Sequence, residues 1–177
     1  MEQRLGNIIA SKAGGTAGHG ARTYKLSLPT VWVQALGLAD EHRQVVLAFD
    51  GDAITIRPKR DFGTFRALAL SKGHHLLELR YYSGNTLCTR ICADQTSREV
   101  VVENCTDQLV KTAFGTNELP TWEDFAAFLE ERCVPRERAG LREYLEALGL
   151  EEYDPLAIVR KTQGRMAEDD QWLEVLP

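Results

Sequence analysis

Residues 23–58 read TYKLSLPTVWVQALGLADEHRQVVLAFDGDAITIRP, and the order of signals in this stretch decides the fold of the first third of the chain. Tyr24, Leu26 and Leu28 alternate with Lys25 and Ser27, which is the period of a strand. Pro29 ends it, because proline has no amide to give to a ladder. Residues 30–37, TVWVQALG, predict a short helix, started by Pro29 or Thr30 and ended by Gly37 in the left-handed cap position. Val45, Leu47 and Phe49 then alternate. Asp50-Gly51 is a hairpin-turn signal, Ile54 and Ile56 alternate on the return, and Pro58 closes the run.

Upstream, residues 5–12 (LGNIIASK) offer a further strand around Ile8 and Ile9. Residues 13–21 (AGGTAGHGA) hold four glycines and no large apolar side chain, so they predict a loop. The whole order is strand, glycine-rich loop, strand, short helix, strand, turn, strand. Strands this few and short bury little apolar surface, and domains of this size are marginal alone. Pairing two copies supplies the missing core. The expected dimer core is Ile8, Leu26, Leu28, Trp32, Leu36, Val46, Ile54 and Ile56.

Charge is unevenly placed along the 177 residues. Residues 1–60 carry eight basic and five acidic side chains, a net +3, and no acid lies between residues 3 and 39. The remainder carries 13 basic and 21 acidic side chains, a net −8. A basic start on an acidic chain suggests two modules with different partners. Lys12, Arg22 and Lys25 flank the glycine-rich loop, with Arg4 upstream. Arginine can grip guanine in a bidentate way and lysine acts mainly on phosphate. Ser11, Thr16 and Thr23 are candidate phosphate donors. In a two-fold dimer each of these groups appears twice on one face.

The run KLSLPTVWVQALGL followed by VVLAFDGDAITIRP resembles the AbrB/MazE-type swapped-hairpin family: a strand ending in Pro, a short helix ending in Leu-Gly-apolar, then a closing hairpin with Asp-Gly. The resemblance covers about the first third of the chain. It implies a swapped-hairpin, barrel-like dimerisation module that binds double-stranded DNA, in residues 1–60. The insertion between Lys12 and Lys25 is longer than the short turn common in that family.

Residues 61–73 (DFGTFRALALSKG) are expected to be a linker with an apolar patch, before an acidic α+β partner-binding domain over 74–177. LLELRYYSGNTLCTRICA predicts two strands around Ser83-Gly84-Asn85, and REVVVEN a third, so a small antiparallel sheet is expected across residues 75–105. Three short helices follow. Thr121-Trp122-Glu123-Asp124 is a capping-box-like start for a helix carrying Phe125, Phe128 and Leu129. Leu141, Tyr144, Leu145 and Leu148 form a second stripe closed by Gly149. Asp154-Pro155 starts a third helix, ended by Gly164. The segment FAAFLEERCVPRERAGL, with LGL, YDP and GRMAEDDQWL later, is similar to the region before the kinase domain in some HipA-like proteins, which implies a toxin–antitoxin or mobile-element setting.

Several chemistries are set aside. A phosphate-cradling loop needs Gly-Lys-Ser/Thr before a helix, whereas His19-Gly20-Ala21 stands here before a strand. Cys88, Cys92, Cys105 and Cys133 form no C-x-x-C pair, and His74 and His75 are the only histidines near them, so no metal and no cofactor is expected. Cys88 and Cys92 should share one face of a strand. Glu168-Asp169-Asp170 predicts a solvated helix start before Trp172. Arg132, Arg136, Arg138 and Arg142 should make surface pairs with Glu130, Glu131, Glu137, Glu143 and Glu146. No nucleophile–base arrangement is found, so no enzyme is expected. No stretch reaches the roughly 18 apolar residues of a membrane span, and no secretion signal is apparent, so a cytoplasmic protein is expected. The expected function is a dimeric, antitoxin-like transcriptional regulator on a palindromic operator. The alternative is a phage or mobile-element inhibitor, anti-CRISPR-like, whose acidic part binds a host nucleic-acid enzyme; residues 103–177 hold 17 acidic against 8 basic side chains, a net −9.

Overall fold

Alternating runs closed by Gly and Pro fold locally into hairpins, and the described part of the first 59 residues holds two of them. In the computed structural model, residues 2–12, 20–38 and 43–177 are described. The glycine-rich segment 13–19, with Thr16 and His19, lies outside the described residues. Strands β1 (Ile8–Lys12) and β2 (Arg22–Leu26) pair antiparallel, as do β3 (Val45–Phe49) and β4 (Ile54–Pro58). Helix α1 (Thr30–Ala35) lies between the hairpins, starts directly after Pro29 and is followed by Gly37 at φ +69°. Asp50 shapes the β3–β4 turn: its Oδ1 accepts from the amides of Asp52 (3.0 Å) and Ala53 (2.9 Å), and Gly51 takes φ +102°.

The chain divides into two compact units, Met1–Lys59 and Arg60–Pro177. The second is built on a four-stranded antiparallel sheet of order β7-β6-β5-β8, from β5 (Leu76–Ser83), β6 (Thr86–Asp94), β7 (Glu99–Asn104) and β8 (Gln171–Val175). Helices α3 (Trp122–Glu131), α4 (Leu141–Leu148) and α5 (Pro155–Thr162) pack on one face. Their apolar side chains Phe125, Phe128, Leu129, Leu145, Ile158 and Val159 meet Leu77, Leu79, Tyr81, Ile91 and Leu173 from the sheet. The full capping box at Thr121 and Asp124 and the Asp154-Pro155 start are present as expected. The protein is thus α+β with small antiparallel sheets, and among the described residues the strands close no barrel.

Residues 61–73 are not a bare linker. They hold helix α2 (Phe62–Ser71), capped by Asp61, whose carboxylate accepts from the Thr64 amide (2.9 Å) and hydroxyl (2.7 Å). The apolar patch is a stripe: Phe62, Phe65 and Ala69 are buried, and the two phenylalanines pack on Cys92, Leu76 and Val101 of the opposite sheet face. Cys88 and Cys92 therefore do not share a face. A bulge opposite Tyr81 and Tyr82 inserts one residue into β6, turning Cys88 into the α3–α5 core while Cys92 faces α2.

The Glu168–Asp170 segment leads into strand β8 rather than a helix. Asp170 accepts from the Ser83 hydroxyl at 3.1 Å, and its carbonyl accepts from the Gly84 amide at 3.0 Å. Asp169 meets Arg132, which is not a surface arginine but 7% exposed. The guanidinium donates to both Asp169 oxygens (2.6 and 3.0 Å) and to the carbonyls of Gly164 (2.9 Å) and Gln171 (2.9 Å). One side chain thus ties the end of α3 to the end of α5 and the start of β8. Gly164 sits against it at φ +58°, where a Cβ would come within 3.1 Å of Arg132 Cβ and 3.2 Å of Leu173. Arg142–Glu146 is the exposed i,i+4 pair that was expected of this group.

A buried charge that loses its partner is far costlier than an exposed one. Asp169→Ala is expected to destabilise the second unit by about 3 kcal/mol. Adding Arg132→Met is expected to cost less than the sum of the two single changes, because the pair is coupled. Urea midpoints of the three variants check this. Acid acts on the same lock. The Arg132 guanidinium holds Asp169 below the usual 3.8. Burial opposes ionisation of Asp94, but donors from His74, Ser97 and Thr96 outweigh it, so Asp94 also lies below 3.8. Both groups contribute stability above their unfolded values near about pH 4, and that stability is lost as pH falls through the folded values. The urea midpoint should fall most steeply below about pH 4, less so in Asp94→Asn.

Candidate nucleic-acid interface

Direct cross-strand partners point to the same side of a hairpin, so the register sorts the basic residues. Ile8 pairs with Leu26, Ile9 with Lys25, Ala10 with Tyr24, Ser11 with Thr23, and Lys12 with Arg22. One face therefore carries Ile8, Ala10, Tyr24 and Leu26, ending in Lys12 and Arg22. The other carries Ile9, Ser11, Thr23 and Lys25. All ten residues are exposed. The two hydroxyls and Lys25 come together on one face, and Lys12 and Arg22 come together at the last pair of the ladder on the other.

Lys12 and Arg22 are like charges placed directly opposite each other, an arrangement that destabilises a two-stranded ladder. Among the described residues neither has a carboxylate partner. Arg4 stands apart. It donates to Glu2 at 3.0 and 3.2 Å and lies 5.7 Å from the Trp32 ring centroid, while Trp32 Nε1 donates to the other Glu2 oxygen at 3.0 Å. These contacts fasten the N-terminal segment to α1 and leave Arg4 outside the hairpin set.

The expected dimer-core residues are placed unevenly. Ile8 and Leu26 face the same side of the first hairpin. Leu28 and Leu36 are exposed, and Trp32 is half-buried. Ile54 and Ile56 pair with Phe49 and Leu47, so they share a face with Val45. Val46 does not belong with them: its partner is Arg57, on the opposite face, because side chains alternate. Leu47 and Phe49 are the β3 residues that share the face of Ile54 and Ile56, and the alternation of Val45, Leu47 and Phe49 carried that signal. Among the described residues of this unit Leu38 alone is buried. Leu47, Phe49 and Ile54 are 66%, 70% and 70% exposed.

The second unit offers no comparable site. Among the described residues no group of three His, Cys, Asp or Glu side chains is close enough to hold a metal ion. Cys88, Cys92 and Cys133 are buried, and burial pushes the Cys92 thiol up to about 12 and the Cys133 thiol to about 11, the reverse of thiolate activation. His74 Nδ1 lies 2.6 Å from Asp94, whose carboxylate also gathers the Thr96 and Ser97 amides; the pair braces the β6–β7 turn. On the α2 side of the sheet, Arg90 pairs with Glu103 and Arg80 with Glu174, so those arginines are matched. No helix among the described residues is long and apolar enough to cross a membrane. No protein-family model, no curated protein and no solved structure matches this chain.

Replacing Lys12 by Glu turns the repulsive cross-strand pair into an attractive one. The change is expected to stabilise the β1–β2 hairpin by a few tenths to about 1 kcal/mol at low salt. Backbone amide exchange of residues 8–12 and 22–26 should slow accordingly, and the gain should shrink as salt is added.

Proposed function

We propose that this protein is a dimeric DNA-binding regulator of the AbrB/MazE-like swapped-hairpin type, antitoxin-like, acting on a palindromic operator in the cytoplasm of a bacterium. The observation that carries the reading is the β1–β2 hairpin: Lys12 and Arg22 sit side by side without a carboxylate partner among the described residues, on a unit whose large apolar side chains are exposed. A polyanion removes the repulsion between the two cations. A second copy removes the apolar surface from water. Two-stranded hairpins are marginal in isolation, and a standard interface takes on the order of 800 Å² from each partner. The exposed faces of β1–β2 and β3–β4 supply apolar side chains for such an interface, and interleaving two copies would form the barrel-like module.

Two-fold symmetry then doubles Lys12, Arg22 and Lys25 and asks for a palindromic duplex. The acidic second unit, with its own core, is the part that binds a protein partner. Leu109, Val110 and Leu119, exposed between β7 and α3, are its candidate apolar contacts.

Light scattering or sedimentation of the full chain is expected to give twice the monomer mass. Leu47→Glu together with Phe49→Glu should return it to the monomer. Duplex affinity should fall linearly with log salt, with a slope near −0.9 for each phosphate neutralised. A monomeric wild-type chain, or a salt-independent affinity for duplex DNA, would overturn the reading.

A further inference from the structure

A two-stranded ribbon fits the major groove of B-DNA and must turn one face to the base edges. The register of β1 and β2 gives this ribbon two chemically different faces. Ile8, Ala10, Tyr24 and Leu26 make the first face apolar over most of its length, with Ile8 68%, Tyr24 64% and Leu26 51% exposed. Turned toward the groove, that face would offer one hydroxyl, on Tyr24, and would leave most of its apolar area against charged and polar surroundings. The second face is a two-by-two array of Ile9 and Ser11 on β1 against Lys25 and Thr23 on β2. It combines the groups that read base edges: two hydroxyls that donate or accept, an ammonium for guanine O6 and N7, and an alkyl group for a thymine methyl.

We infer that duplex DNA is read in its major groove by the Ile9–Ser11–Thr23–Lys25 face of the β1–β2 ribbon, while Lys12 and Arg22 at the last pair of the ladder hold phosphates without reading sequence. The inference rests on the DNA-binding reading above and divides its residues between two tasks. Ser11 and Thr23 form one cross-strand pair, and Ile9 and Lys25 the next pair but one, so the four side chains lie in two rows along the ribbon. Two strand residues advance the chain by about 6.8 Å, or roughly two base-pair steps. The face therefore addresses a short block of bases in each half-site. Lys12 and Arg22 belong to the opposite face, but they form the last pair of the ladder, and their side chains are long enough to reach a phosphate beside the ribbon. Their apolar neighbours turn to the second copy.

The test uses the full chain and a random-sequence duplex pool. Selection with the wild type gives its preferred duplex, and affinities for that duplex and for an unrelated one are then measured against salt. Lys25→Ala and the near-isosteric Thr23→Val are each expected to weaken the preferred duplex by roughly 5- to 100-fold. Both should leave the unrelated duplex little changed and alter the selected sequence. Lys12→Ala with Arg22→Ala should weaken both duplexes alike, reduce the salt slope by about 2 to 4 in the dimer, and select the same sequence as the wild type. If Lys25→Ala and Thr23→Val instead weaken both duplexes equally, or if the Lys12 and Arg22 changes alter the selected sequence, the division of tasks is overturned while DNA binding stands. A wild-type chain that binds no duplex overturns both.

Discussion

A two-stranded hairpin has two faces, and a chain that builds hairpins without a third strand or a covering helix leaves its apolar face in water. Among the described residues the first unit meets this constraint twice, at β1–β2 and at β3–β4. Register then does the sorting. Because partners share a side, most of the large apolar residues of each hairpin gather on one face, while Ile9 and Val46 fall among the polar groups of the other. The basic residues follow the same rule, which divides Lys25 from Lys12 and Arg22. In the proposed function, this one geometric constraint accounts both for the second copy and for the orientation of the ribbon on DNA.

The second unit solves the covering problem within itself. Its sheet is covered by α2 on one face and by α3, α4 and α5 on the other, so most of the large apolar side chains between these layers are buried where those of the first unit are exposed. The least exposed arginine in it, Arg132, uses its donors on four oxygens from the segment between α5 and β8. Replacing water around a guanidinium with fixed oxygens fastens a strand that enters the sheet late in the chain. Tyr82 and Trp172 stack across the same junction with centroids 4.4 Å apart, and Trp172 Nε1 donates to the Gly84 carbonyl at 2.8 Å. Tyr81 adds a hydrogen bond to Gln171. Strand β8 is held by these side chains as well as by its short ladder on β5.

Much of the secondary structure is legible in the sequence. Pro29 and Gly37 around α1, Asp50-Gly51 between β3 and β4, Thr121 with Asp124, and Asp154-Pro155 all fall where their local chemistry put them. The basic candidates at the hairpin were legible too, as residues on β1 and β2 next to a glycine-rich segment. Their division between faces was not, because it depends on which residue stands opposite which. The same gap explains Val46, whose neighbours on a strand look equally apolar in sequence until the register sends it to the side of Arg57.

The sequence by itself determined the caps, turns and strand periods, because each is written in the spacing of residues a few positions apart, and it determined the net positive charge of the first third, because acids are scarce there. The tertiary structure decided what depends on distant segments meeting. It made a buried lock of Arg132, which looked like one of four surface arginines, since Asp169 and two carbonyls converge on it from more than thirty residues away. It made a strand of residues 171–175 because β5 offered an open edge. It sent Cys88 and Cys92 to opposite faces through one inserted residue. At the hairpin it set Lys12 against Arg22 and Lys25 against Ile9, and that pairing, more than the basic composition, separates the two faces of the candidate interface.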